Sequence, residues 1–108
     1  MSKKLNQTSS FDKTTIFQLL LKNKTILRKY GVKKIGLFGS FVRNQQNSES
    51  DIDLLVIFED GKKNFHNFIN LAYFLEDLMG RNIEIVTEES LSPYLGPRIK
   101  KEVEYATL

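Results

Sequence analysis

At 108 residues the chain has room for one domain with a modest core, and 41% hydrophobic content with eight Phe argues for a packed globule over a disordered segment. Cysteine is absent, which excludes a disulfide framework, a thiolate zinc site and a Cys nucleophile. The net charge of +3 is a mild excess, with lysines scattered in pairs, so it reads as a solvated surface and not as a nucleic-acid footprint. No apolar run nears the roughly 20 residues of a membrane helix. The polar start MSKKLNQTSSFDK has no signal-peptide core, and a cytoplasmic protein is expected.

In chain order, residues 1–12 read as a loose leader and residues 13–108 as the domain. Thr14 or Thr15 is expected to cap a helix running to about Tyr30, with Ile16, Phe17, Leu19, Leu20, Ile26, Leu27 and Tyr30 on one face and Gly31 as a stop. VKKIGLF reads as a strand ending at Phe38. Gly39-Ser40 breaks it, and Ser40 is placed to cap a short helix through about Asn44. After the polar NQQNSES loop, Asp51 to Phe58 forms a second strand, apolar on both faces beyond its first residues and therefore central. Phe65, Phe68, Ile69, Ala72, Leu75 and Met79 mark an amphipathic helix closed by Gly80. NIEIVT, residues 82–87, is a third strand. Pro97 suits the first turn of a last helix, with Ile99, Val103 and Ala106 facing inward. The order α–β–α–β–α–β–α implies an α/β or α+β fold, a small sheet with helices mainly on one face. Strand directions are not legible in this pattern.

Three features carry chemistry. Asp51 and Asp53 stand two apart at a strand start, which aims both carboxylates to one face about 6–7 Å apart along the chain. Such a pair repels itself unless a cation intervenes, and Mg²⁺ takes hard oxygen ligands at about 2.0–2.1 Å, commonly one or two carboxylates plus phosphates. The plainer alternative makes Asp51 a turn cap and Asp53 an edge residue. Gly39 permits close backbone approach, and the amides of a following helix, the Ser40 hydroxyl and Arg43 three residues on would suit an anion; an ordinary strand-to-helix turn has the same pattern. Glu84 alternates with Ile83 and Ile85, either as a solvent-facing edge residue or, if its strand adjoins the second, as a partner of the same metal. His66, beside Phe65, fits a helix surface.

Together, Gly39-Ser40-x-x-Arg43, a polar gap, and Ser50-Asp51-Ile52-Asp53-Leu54-Leu55-Val56 resemble the signature of the minimal nucleotidyltransferases, small members of the DNA polymerase β-like superfamily. The resemblance spans about residues 15–106. It implies a small mixed β-sheet with flanking helices and Mg²⁺-dependent transfer of a nucleoside monophosphate from an NTP, with ATP as the expected nucleotide. By position it implies that Gly39, Ser40, Arg43 and Ser50 hold the nucleotide, and that Asp51, Asp53 and Glu84 bind metal and carry catalysis. The family's third carboxylate is usually Asp, so Glu84 is a departure that reaches one methylene further. The two-metal template would place two ions about 3.5–4 Å apart around the α-phosphorus. The resemblance also implies an acceptor supplied by a partner: a tyrosine of a HEPN-domain toxin, for which this chain would be the antitoxin. A homodimer is compatible with the sequence. The rival reading is a module of the same fold that neutralises its partner by contact alone. Transfer to a small molecule is disfavoured by the lack of a second domain, and a Walker P-loop by the absence of Gly-Lys-Ser/Thr after the glycine turn.

Overall fold

A computed structural model describes residues 11–108. The expected leader therefore lies, over residues 1–10, outside the described residues. Helices α1 (Lys13–Lys22) and α2 (Lys24–Lys29) lead into strand β1 (Val32–Phe38), then β2 (Ile52–Phe58), helix α3 (Phe65–Met79), β3 (Ile83–Thr87), a short 3₁₀ turn (Glu88–Ser90), α4 (Gly96–Glu102) and β4 (Glu104–Ala106). The sheet order is β3-β2-β1-β4. β1 runs antiparallel to both β2 and β4, while β2 and β3 are parallel, joined by α3. The mixed small sheet with flanking helices is the expected architecture.

Ile35 and Leu37 of β1, and Ile52, Leu54 and Val56 of β2, pack with Ile16, Leu20, Leu27, Leu71 and Leu75 into one buried cluster. That face of the sheet is covered by α1, α2 and α3. Burying each such side chain contributes about 1.5–3 kcal/mol. Alternate residues turn to the other face. There Leu55 is fully buried and stands opposite Gly36. Gly36 leaves room for Val103 and Tyr105, whose side chains would lie 2.5 and 2.9 Å from a Cβ at this position. Helices thus cover one face, and the C-terminal arm extends the sheet beside β1, with Val103 and Tyr105 against Gly36.

Several expected boundaries change. The first helix is two: Asn23 separates them, its side-chain amide donating to the Leu19 carbonyl at 2.8 Å and competing for the acceptors that would continue the ladder. Its N-cap is Asp12, not Thr14 or Thr15, with Oδ1 accepting the Thr15 amide at 3.2 Å. No α-helix follows Gly39. Residues 40–44 form turns, ended by Asn44 at φ 58°. β2 starts at Ile52, leaving Asp51 just outside it, and β3 starts at Ile83. α3 has the expected span and closes on Gly80 at φ 67°, but Phe65 is 78% exposed and does not join its apolar face. The last helix ends at Glu102, and Val103 extends into β4. Val103 and Ala106 therefore belong to an extended arm and not to a helical face. The spacing that fits one helical turn also fits a strand entry, and pairing with β1 decides the outcome.

Candidate active site

The parallel register sets Asp53 beside Glu84 across β2 and β3. The core-facing neighbours Ile52, Leu54, Ile83 and Ile85 leave both carboxylates on the opposite face. On the other flank of β2, Asp53 pairs with Phe38, the last residue of β1. The chain leaves that strand through Gly39 at φ 80°, and a Cβ there would overlap Asp53 Oδ2. A glycine is needed both for the backbone angle and for the approach to the carboxylate. Asp51, exposed at the mouth of β2, is near enough to act electrostatically on Asp53.

Burial and this crowding act together on Asp53. Its carboxyl is pushed up to about 6, first by burial, then by the charges of Glu84 and Asp51 and by a hydrogen bond with Glu84. Arg43 opposes the shift. Asp53 is the most perturbed acid of the site, placed where a proton acceptor or cation ligand would act.

The glycine turn is engaged from within the chain. The Gly39 amide donates to Glu102 Oε2 at 2.7 Å, and Arg43 Nη1 to Glu102 Oε1 at 2.8 Å. Arg43 Nε also donates to Gln45 Oε1 at 3.2 Å. Ser40, half-buried, follows Gly39 in the turn, and its carbonyl accepts the Gln45 amide at 2.9 Å. Ser50 acts locally, its Oγ accepting the Asn47 amide at 2.9 Å and closing the 47–50 turn. His66 lies exposed on α3, as expected.

Sequence reasoning missed two residues. Arg81 donates to the carbonyls of Asn47 at 3.3 Å and Ser50 at 3.1 Å, while its guanidinium lies 4.8 Å over the Phe11 ring and 5.3 Å over Phe41. It thereby ties down the loop that delivers Asp51. Its only sequence signal is its place after the Gly80 stop. Glu102 is the other, and the alternating VEYA that follows it is the available hint of a strand. Beside Asp51 opens a cavity of about 540 Å³, lined in part by Ser50, Asp51, Glu76, Arg81 and Asn82, large enough for a nucleotide-sized ligand.

Among the described residues, no three acidic, imidazole or thiol groups already stand in a ligating arrangement. The donor set nonetheless fits a hard divalent cation: Asp53 and Glu84 are oxygen donors side by side, Asp51 adds a third carboxylate at the rim, and Asp53, raised first by burial, is raised further by the Glu84 and Asp51 charges that a cation would offset.

Residues 21–107 match the model of the nucleotidyltransferase domain. Protein adenylyltransferase MntA of Thermococcus cleftensis is 37% identical over 82 residues, covering 76% of this chain and 82% of that protein. MJ0435 of Methanocaldococcus jannaschii, provisionally named a protein adenylyltransferase, is 43% identical over 77 residues, covering 71% of this chain and 82% of that one. Among solved structures, one provisionally described as a minimal nucleotidyltransferase superposes with a TM-score of 0.76 at 30% identity, covering 89% of this chain and 97% of the other. A toxin–antitoxin structure with AMP-PNP has the same fold, with a TM-score of 0.67 at 24% identity over 84% of this chain and 72% of that one.

Proposed function

The chain belongs to the nucleotidyltransferase family in its minimal form, and from that premise we propose that it transfers AMP from ATP to a tyrosine hydroxyl of a partner HEPN-domain toxin, acting as that toxin's antitoxin. The observation that carries this reading is the Asp53–Glu84 pair facing the Gly39 turn, with Asp51 at the rim. The names of the relatives support AMP transfer to protein. The HEPN partner and the tyrosine acceptor rest on the motif resemblance, while the toxin–antitoxin structure supports a toxin partner.

Asp51, Asp53 and Glu84 would hold Mg²⁺, which when bound offsets charge on the phosphates. Gly39, Ser40 and Arg43 would orient the β- and γ-phosphates, and the cavity beside Asp51 would receive the nucleoside. Ser50 would serve by shaping the turn ahead of Asp51. The acceptor oxygen forms a bond to the α-phosphorus as the bond from that phosphorus to the bridging oxygen breaks. Pyrophosphate leaves with the bridging oxygen. The hydroxyl proton passes to a carboxylate of the site, with Glu84, beside Asp53 across the β2–β3 pair, as the proposed acceptor. Glu84, longer than the usual Asp, still reaches Asp53, so the longer side chain keeps the pair together.

The test uses labelled ATP, Mg²⁺ and a HEPN-domain protein encoded beside this chain. Label on the partner's tyrosine, lost when Asp51 and Asp53 are both replaced by Ala, is the expected result. Partner neutralisation that survives the double replacement, without label transfer, would instead favour a binding module.

A further inference from the structure

The donors best suited to a phosphate are already satisfied by a carboxylate of the same chain. Glu102 places one oxygen on the Gly39 amide and the other on Arg43, at 2.7 and 2.8 Å. Two acidic oxygens on one backbone N–H and one guanidinium reproduce the way a phosphate group would use the turn. Glu102 arrives there because Val103 extends from the end of α4 and Glu104 pairs with Leu37, one register step from Phe38.

Its charge is held by its surroundings. Burial acts to raise the Glu102 carboxyl, but the Gly39 N–H, the bonded Arg43 and the nearby Arg98 outweigh it and keep the group below the usual carboxylate range. The contact is nonetheless open to water, the Arg43 and Glu102 side chains being 45% and 27% exposed. Such a pair is replaceable by a more highly charged anion. A triphosphate that reached these donors with Glu102 in place would meet a fourth carboxylate beside Asp51, Asp53 and Glu84.

We infer that Glu102 is a positioning residue that stands in for a nucleotide phosphate, holding the Gly39 turn and Arg43 in receptive geometry until the triphosphate displaces it. The inference rests on the nucleotide-site reading above and adds a competitor within the chain. Its signature is a gain in nucleotide affinity when the carboxylate charge is removed, whereas a permanent structural tie would lose affinity.

The experiment measures equilibrium binding of AMP-PNP with Mg²⁺ to the full chain, to E102Q and, as a charge control away from the turn, to E88Q. E102Q is expected to bind about three- to tenfold more tightly, with E88Q close to the parent. Unchanged or weaker binding by E102Q, with the parent binding normally, overturns the inference and leaves the nucleotide reading intact. Loss of binding by both parent and variant overturns the nucleotide reading and the inference with it. A second measurement needs no variant. Carboxyl-carbon NMR of the parent should show the Glu102 titration moving upward on saturation with AMP-PNP, with a shifted Gly39 amide resonance. A Glu102 titration unmoved by saturating AMP-PNP overturns displacement.

Discussion

Gly39 and Asp53 face each other so closely that the glycine's missing side chain is part of the site: a Cβ at residue 39 would overlap Asp53 Oδ2. The backbone there also sits at φ 80°, where L side chains are strained. Gly39→Ala is therefore expected to cost about 1–3 kcal/mol of stability. It should also reduce AMP transfer far beyond that loss, because the carboxylate must move. Urea unfolding together with label transfer on the folded fraction checks both parts. A variant with parental transfer would show that the approach is incidental.

Asp53 is expected to make stability depend on pH in an unusual sense. Burial first, then Glu84 and Asp51, raise its carboxyl from 3.8 in the unfolded chain to about 6. Between those values the folded chain binds the extra proton, so this group's contribution falls as pH rises through that window. The penalty is complete above about pH 6 and absent below about pH 4. Asp53→Asn should thus stabilise the metal-free protein near pH 7, by roughly 1–2 kcal/mol after allowing for solvent screening of a half-exposed group, and give no such gain near pH 4. Thermal melts of both proteins across that range are the measurement. Equal gains at both ends would assign the effect to something other than charge.

Arg81→Ala should loosen the approach to Asp51. The variant removes donors to the Asn47 and Ser50 carbonyls and the guanidinium lying over Phe11 and Phe41. A stability loss of about 1–3 kcal/mol is expected, with faster amide exchange through residues 47–51. Protection unchanged in that loop would show that it holds itself.

Gly36→Val addresses the C-terminal arm. The added atoms would press on Val103 and Tyr105, already 2.5 and 2.9 Å from the position of a Cβ. Overpacking of this kind costs about 1–3 kcal/mol, and it should release β4 ahead of the rest of the sheet. Amide exchange at Tyr105 and Ala106 is expected to rise while that of β2 stays slow. Uniform acceleration would mean that the sheet gives way as a whole.

The central parts of this fold are legible in the sequence because burial imposes a pattern. The apolar run from Ile52 to Phe58, the helix ending at Met79 and the alternation of Ile83, Glu84 and Ile85 all carry the period of the element they form. The meeting of Asp53 with Glu84 is implied by the family resemblance but not legible in the strand patterns themselves, because strand direction and register are set by packing across the sheet and leave no mark within either strand. The helical break at Asn23 is a contest between a side-chain amide and the backbone for one carbonyl, which periodicity does not register. β4 escapes the pattern because Val103 and Ala106 suit a helical turn as well as an extended edge. With β4 unseen, nothing connects Glu102 to Gly39.

The order β3-β2-β1-β4 has one more consequence. The acidic half of the site lies between two neighbouring strands of five and seven residues, whereas Glu102 reaches the glycine half from beside a three-residue margin at the rim of the sheet. Short rim segments open by themselves more readily than interior ladders. The parts of the site should accordingly differ in permanence: Asp53, on the interior strand β2, endures as long as the fold does, while the cover over the glycine turn can breathe without unfolding the β2–β3 ladder.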